Sequence, residues 1–206
     1  MASLPVSGPE RGSLPPSYFE DVYRAKADPW DFATSPYEAA KYRTTLDALP
    51  RSHYGAALEA GCSIGVLTAQ LAPRCAQLLA VDVNESALAQ ARARCAALPQ
   101  VRLERRFLPA EFPAGAFDLI LLSEVGYYLA MPDLLDLRQC CLNQLAPAGH
   151  LLLVHWTPVV ADYPLTGDQV HETFLQKTAG PSAPWRHLTG RREENYRLDL
   201  LANVGV

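Results

Sequence analysis

The feature that most constrains the fold is a regular alternation of short apolar runs with amphipathic stretches. Residues 78–82, 117–123 and 150–156 are almost continuously apolar, which is typical of parallel strands covered on both faces. Between the last two, residues 132–145 repeat apolar side chains every three or four positions, as amphipathic helices do. Strands that alternate with helices are joined by right-handed crossovers. The sequence therefore predicts an α/β, doubly wound, Rossmann-like fold with a mostly parallel sheet.

The remaining elements follow from the same patterns. We expect further strands at 56–60 and 101–105, further helices at 66–71, 86–98 and 166–177, and a closing antiparallel pair at 185–191 and 195–201. Ahead of the sheet, Ser35, Pro36 and Glu38 predict a helix start in which Glu38 completes a capping box. We interpret residues 18–206 as one domain, in which 18–50 form a helical cap over a ligand site. Residues 1–17 are rich in Pro, Ser and Gly without periodicity, and predict a disordered tail.

Composition excludes several classes of function. The chain has 206 residues, 49% of them hydrophobic, which suits one core. Its formal net charge is −4 and no Lys/Arg stripe is present, so we expect no nucleic-acid partner and favour a small or cationic one. No apolar stretch is long enough for a bilayer and no secretory signal is evident, so we expect no membrane association. Five scattered cysteines without a CxxC pair predict neither disulfides nor a metal site, and indicate a cytoplasmic location.

The stretch ALEAGCSIGVLTAQL, residues 57–71, predicts the ligand site. In a doubly wound sheet, ligands bind at the carboxyl ends of the strands. A dinucleotide fingerprint would need glycines at its first, third and sixth places, but these hold Gly61, Ser63 and Val66, so the loop does not suit a diphosphate. Asp82 ends the next strand, where a carboxylate can accept hydrogen bonds from both ribose hydroxyls. A nucleoside without phosphate, such as S-adenosylmethionine, fits this combination.

The same motifs resemble those of class I S-adenosylmethionine-dependent methyltransferases, over nearly the whole chain from about Tyr18 to Leu201. LEAGCSIG resembles the first motif, AVD the ribose-binding acid, FDLILLSEV the fourth-strand motif and LAPAGHLLLVHW the fifth-strand motif. A narrower resemblance is to the nodulation protein S (NodS) methyltransferases. It is carried by ADPWDFATSPYEAAKY, GCSIGVLT, LLSEVGYYL and DYPLTGDQVH, of which the last is the most specific. This resemblance implies N-methylation of an amino sugar within a deacetylated chito-oligosaccharide.

The predicted cofactor is S-adenosylmethionine, bound by residues around the first, second and fourth strand ends: Glu59, Gly61, Cys62, Ser63, Gly65, Asp82, Val83 and Ser123. The acid that reaches adenine in many relatives is missing from ERRFLPAEFP, so we expect backbone groups and Phe107 or Leu108 to contact the base. In the cap, Tyr37 and Lys41 are expected to close over the cofactor, although a solvated Glu38–Lys41 pair is an alternative. Trp30 could anchor this lid or simply fill the core.

Transfer of an activated methyl group requires alignment of the reactants rather than a metal. Glu124 directly follows the fourth strand and is our candidate for ammonium binder or base, with capping of the next turn as the alternative. His155 ends the fifth strand as a second candidate base, or is a satisfied core residue. We expect the acceptor pocket to include Tyr127, Tyr128, Asp162, Asp168 and His171. The tyrosines could instead be ordinary packing, and Asp168 and His171 could instead serve the first turn of their helix.

Two alternatives to N-methylation stay open at this point. Methylation of a hydroxyl or carbon centre would use the same cofactor motifs. A homologue that binds a nucleoside without transferring a methyl group would retain the loop and the ribose acid. The sequence does not indicate an oligomeric state.

Overall fold

A seven-stranded sheet with helices on both faces forms the protein, in a computed structural model that describes residues 12–205. The strands are β1 Tyr54–Ala60, β2 Cys75–Asp82, β3 Val101–Arg105, β4 Phe117–Ser123, β5 Leu145–Trp156, β6 Trp185–Arg192 and β7 Tyr196–Asn203. The helices are α1 Pro16–Ala25, α2 Pro36–Asp47, α3 Val66–Leu71, α4 Glu85–Arg94, α5 Met131–Gln144 and α6 Gly167–Leu175. None of the helices within 12–205 has both the length and the apolar character needed to cross a bilayer.

The strand order is β3-β2-β1-β4-β5-β7-β6. The first five strands in this order are parallel, whereas β7 runs antiparallel to both β5 and β6. The predicted doubly wound sheet with a closing antiparallel pair is therefore confirmed. Because chain order reverses on either side of β1, the loops that follow β1 and β4 separate from each other and leave a crevice at the carboxyl edge.

Both faces of the sheet are buried, which explains the continuous apolar runs. One face packs under α5 and α6 through side chains that include Leu58, Ile120, Leu122, Leu151 and Leu153. The other face packs under α2 and α3 through side chains that include Ala57, Leu78, Leu119, Leu121 and Leu152. Successive residues of β4 and β5 thus point to opposite buried layers, as expected for central parallel strands.

The N-terminal segment differs from the predicted tail. Within the described part of 1–17, the Leu14 N–H donates to the Tyr128 carbonyl (2.8 Å) and the Ala130 N–H donates to Ser13 Oγ (2.7 Å). Helix α1 then begins at Pro16, and its Tyr23 is buried against Ile64. The prolines favour a helix start because their missing N–H groups need no partner there. Residues 1–11 of the predicted tail lie outside the described residues.

Helix α2 begins as predicted, but its capping box does not form. Ser35 Oγ accepts the Glu38 N–H (3.3 Å), and Pro36 occupies the first helical turn. The Ser35 N–H instead donates to the Asp31 carbonyl (2.8 Å), so the Glu38 carboxylate is not used for capping. The predicted capping box was wrong because the preceding turn, through the Asp31 carbonyl, already satisfies the Ser35 N–H. The Glu38 side chain is buried instead.

A buried chain of hydrogen bonds connects the turn after β4 to Asp199 of β7. The Gly126 N–H donates to His155 Nε2 (3.1 Å), so His155 Nδ1 bears the ring proton and faces His171 Nε2 (3.1 Å). His171 Nδ1 in turn lies 2.6 Å from Asp199 Oδ2, which also accepts from Arg197 Nε (2.7 Å). Both imidazoles are therefore neutral with both ring nitrogens engaged, and together they fix the turn at Gly126.

Burial makes these histidines hard to protonate. It lowers the pKa of His155 well below its ordinary value, and His171 and Lys41 add to this effect. Burial also lowers the pKa of His171, although Asp199 opposes the change. An unfolded chain binds both protons near pH 6.5. The stability that these histidines contribute is therefore complete above pH 6.5 and is lost as the pH falls toward their lower folded pKa values.

We expect the free energy of unfolding, measured with urea, to fall between pH 7 and pH 5.5. Each of the two histidines contributes a slope of up to about 1.4 kcal/mol per pH unit. The variant His171→Gln keeps an acceptor for His155 and a donor for Asp199, and should show a smaller slope. The variant His53→Gln removes an exposed histidine and should retain the wild-type slope. Equal slopes in all three proteins would contradict the neutral buried pair.

Candidate functional site

Two adjoining cavities open at the carboxyl edge of the sheet. The first, of about 750 Å³, lies over the ends of β1 and β2 and under α1. The second, of about 830 Å³, lies between α2 and the segments that follow β4 and β5. Four side chains line both cavities: Trp30, Phe32, Glu124 and Tyr128.

The loop after β1 turns sharply at two glycines. Gly61 and Gly65 both have φ of +77°, in the left-handed region that side chains rarely adopt. A Cβ at residue 61 would lie 2.2 Å from Val125 Cγ2, and one at residue 65 would lie 2.9 Å from Ala91 Cα. Glycine is therefore required twice, for the turn beneath Val125 and for close packing of α3 on α4.

Asp82 joins this loop to the end of β2. Its Oδ2 accepts the Ser63 N–H (2.8 Å) and its Oδ1 accepts the Asn84 N–H (2.9 Å). Burial raises the pKa of Asp82, while these backbone donors oppose the rise. Each carboxylate oxygen has a further lone pair, and Asp82 lines the first cavity. The side chain can therefore accept hydrogen bonds from a ligand there.

Glu59 lies beneath the glycine loop rather than on a cavity wall. It is 1% exposed, and burial raises its pKa to about 8, with the Thr68 hydroxyl opposing the rise. A carboxyl group with this pKa is mostly protonated at neutral pH. The geometry favours a role in supporting the loop over the predicted direct contact with a cofactor.

The other predicted cofactor residues divide into two groups. Val83, Phe107 and Leu108 line the first cavity together with Gly61 and Asp82. The second group forms the surrounding loop or strand end and does not line it: Cys62, Ser63, Gly65 and Ser123. Contact of Phe107 or Leu108 with adenine stays a prediction.

The second cavity combines aromatic walls with a small cluster of charges. Its seven aromatic side chains are Trp30, Phe32, Tyr37, Tyr127, Tyr128, Trp156 and Tyr163. The Tyr127 and Tyr163 rings stack with centroids 5.1 Å apart and planes 14° apart. Such walls can hold the faces of a sugar ring or a cation.

The charged cluster consists of Lys41 between two carboxylates. Lys41 Nζ lies 2.7 Å from Glu124 Oε1, and 3.0 and 2.9 Å from Glu38 Oε1 and Oε2. The Lys41 side chain is only 3% exposed. Burial lowers the pKa of Lys41, but Glu124 and Glu38 outweigh burial and the net pKa is raised. The cluster thus sets two acidic side chains against one basic one.

Several predicted site residues lie elsewhere than expected. Lys41 and Tyr37 line the second cavity and not the first, so Lys41 meets Glu38 and Glu124 rather than a cofactor carboxylate. His155 is fully buried with both ring nitrogens engaged, which argues against its predicted role as a base.

Three of the predicted acceptor residues also lie outside both cavities. His171 belongs to the buried hydrogen-bond chain. Asp168, in the first turn of α6, forms ion pairs with Arg192 and Arg197. Asp162 is exposed. By contrast, Tyr127 and Tyr128 line the second cavity, and their contact with an acceptor stays a prediction.

Several residues that line the cavities were not predicted from the sequence, because only the tertiary structure brings them there. Leu14, Phe19 and Tyr23 line the first cavity from the N-terminal segment, and the Tyr23 hydroxyl lies 2.5 Å from Ser63 Oγ. Glu38 and Tyr163 line the second. The aromatic residues of PPSYFEDVY were the available signal, because their spacing fits a helix with one buried face.

Comparisons with known proteins agree with this geometry. The family model described as Nodulation protein S (NodS) matches residues 21–152. Nodulation protein S of Rhizobium tropici is 33% identical over 132 residues, which are 62% of this chain and 55% of that protein. The Bradyrhizobium diazoefficiens protein is 34% identical over 129 residues, 61% of each chain. The matches thus span 55 to 61% of the length of these curated relatives.

Solved structures are similar to this chain over a larger part of its length than the curated relatives are. The N-methyltransferase NodS from Bradyrhizobium japonicum WM9, in complex with S-adenosyl-L-homocysteine, superposes with a TM-score of 0.76 at 25% identity, covering 90% of this chain and 97% of that one. A Pseudomonas syringae protein assigned as a methyltransferase superposes with a TM-score of 0.70 at 38% identity, covering 81% and 99%. The family match includes the glycine loop, Asp82, Glu124 and the whole charged cluster. The chain therefore belongs to the NodS family and has the fold of class I methyltransferases.

Proposed function

We propose that the protein is an S-adenosylmethionine-dependent methyltransferase that methylates the amino group of a small acceptor. The observation that carries this proposal is the pair of adjoining cavities with Glu124 and Tyr128 on their shared border. One cavity has the features of a nucleoside site, and the other has those of a site for a cationic small molecule. Family membership supports the same activity.

The first cavity fits S-adenosylmethionine. Its loop lacks the glycine that admits a pyrophosphate, and Asp82 keeps acceptor capacity for ribose hydroxyls. The cofactor supplies a methyl group on a positively charged sulfur, which becomes a neutral thioether when an amine displaces it. The acidic charged cluster at the border favours that positive charge.

The second cavity favours an amine over a hydroxyl or carbon acceptor. Its charged cluster sets two carboxyl groups against one ammonium, and seven aromatic side chains line the cavity. Both features attract an ammonium group, the first by charge and the second by cation–π interaction. A neutral hydroxyl would gain little from either. An amino sugar within a deacetylated chito-oligosaccharide combines this ammonium with sugar faces that stack on aromatic rings.

Removal of the ribose acceptor should weaken cofactor binding selectively. The variant Asp82→Ala loses hydrogen bonds to an ionised group, which contribute about 1.5–3 kcal/mol each. Calorimetry with S-adenosylhomocysteine should therefore show more than tenfold weaker binding.

Asp118→Ala is the matched control for this variant. Asp118 also accepts two backbone N–H groups, from Gly55 and Ala56, but it lines neither cavity. Its removal should change the affinity less than twofold. Equal losses in the two variants would mean that Asp82 acts only through stability of the fold.

Transfer itself is tested with cofactor that carries an isotopically labelled methyl group. We expect label on the nitrogen of a glucosamine oligomer and none on the same oligomer after complete N-acetylation. Label on a hydroxyl of the acetylated oligomer would contradict the amine assignment. Binding of S-adenosylhomocysteine without transfer to amines, phenols or sugars would instead support a nucleoside-binding protein that lacks transferase activity.

A further inference from the structure

The border carboxylate Glu124 already accepts three hydrogen bonds from the protein. Its Oε1 accepts from Lys41 Nζ (2.7 Å), and its Oε2 accepts from the Tyr127 hydroxyl (2.6 Å) and from the Trp156 N–H (2.9 Å). The backbone at Glu124 has a φ of +59°, a strained conformation for a side chain with a Cβ. These contacts suit a residue that holds three segments together, and they leave little capacity for a substrate proton.

Glu38 is the other carboxylate of the second cavity, and it is less engaged. Both of its oxygens approach Lys41 Nζ, but Oε2 is buried and makes no hydrogen bond within the described part of the chain. Its helix does not use it for capping, because the Ser35 N–H donates to Asp31 instead. The Lys41 ammonium, 2.9 Å away, is thus the one charged partner that the described residues give Oε2, and the oxygen keeps lone pairs for a ligand donor.

We propose that Glu38 binds the ammonium group of the acceptor and takes its proton before methyl transfer. This inference rests on the proposed function, and it assigns the proton acceptor within the same site. Glu38 lines the aromatic cavity, where an ammonium is attracted, and Lys41 holds its carboxylate in place. Glu124 then acts as the positioning residue that fixes Lys41.

The proton balance of the step is complete with these groups. One N–H proton passes from the acceptor ammonium to the Glu38 carboxylate, leaving a neutral amine. The nitrogen lone pair forms the N–C bond while the S–C bond breaks, and its electron pair remains on sulfur. The product is a secondary ammonium, and Glu38 releases its proton to solvent.

The surroundings of Glu38 suit a proton acceptor. Burial raises its pKa above the ordinary value for glutamate, Lys41 opposes this rise, and Glu124 and Asp28 add to it. A carboxylate with a raised pKa is a stronger base. Tyr37 also faces the cluster, but burial raises its pKa to about 12, so it stays neutral over the working range of pH.

The variants Glu38→Gln and Glu38→Asp test this assignment, with Glu20→Gln as a control for loss of an exposed glutamate in the same cap. For methylation of a glucosamine oligomer, E38Q should lower kcat/KM at least tenfold and abolish the acid limb of its pH profile. E38D should restore part of the rate, and E20Q should behave as wild type. Affinity for S-adenosylhomocysteine should change less than twofold in all three.

Four outcomes distinguish failure of this inference from failure of the proposed function on which it rests. If E38Q keeps the wild-type rate and pH profile, Glu38 is not the proton acceptor. If E38Q loses thermal stability and cofactor affinity together with its rate, and E38D restores none of them, its role is structural and the inference is wrong. If wild type binds S-adenosylhomocysteine but calorimetry detects no binding of the glucosamine oligomer, the ammonium site is wrong while the cofactor site stands. If wild type does not bind S-adenosylhomocysteine, the proposed function itself is wrong.

Discussion

A buried lysine ammonium is the interaction on which the candidate site depends. Lys41 comes from α2, and it reaches Glu124 at the end of β4, a residue 83 positions later in the chain. Such a charge is stable away from water only when carboxylates surround it, and loss of one partner from a buried pair costs about 3–5 kcal/mol. The pairing therefore holds the cap on the carboxyl edge of the sheet. It also places the border between the two cavities at a fixed position, because Glu124 lines both.

Four carboxyl side chains lie near the carboxyl edge of the sheet, and their hydrogen-bond and ion-pair partners distinguish their roles. Asp82 accepts backbone N–H groups and retains free lone pairs, which suits a ligand with hydroxyl donors. Glu59 is buried, forms no ion pair with a cation within residues 12–205, and is mostly protonated at neutral pH. Glu124 accepts from a lysine, a tyrosine and a backbone N–H, and so connects three segments. Only Glu38 combines burial, a position in the aromatic cavity and an oxygen without a hydrogen bond among the described residues.

Local pattern predicted the sheet well, because apolar runs, glycine turns and the strand-end acid are encoded by neighbouring residues. Prediction from local pattern failed where a tertiary contact determined the role of a side chain. The Ser35–Glu38 pair matches a capping box, but a turn from Asp31 satisfies the Ser35 N–H and leaves Glu38 free to face the cavity. His155 is a reasonable base by its strand-end position, but His171 and the Gly126 N–H occupy its ring nitrogens. The residues of α1 and Tyr163 reach the cavities only through folding of distant segments, which no spacing rule within one element reveals.

If the two cavities are halves of one reaction site, a bound cofactor must reach from Asp82 to Glu124. A crystal structure of the complex with S-adenosylhomocysteine tests this most directly. We expect both ribose hydroxyls at about 3 Å from the Asp82 oxygens, and the sulfur at the border formed by Glu124 and Tyr128, open to the aromatic cavity. A sulfur atom at the Arg106 and Phe107 end of the first cavity, or a ribose away from Asp82, would contradict the arrangement.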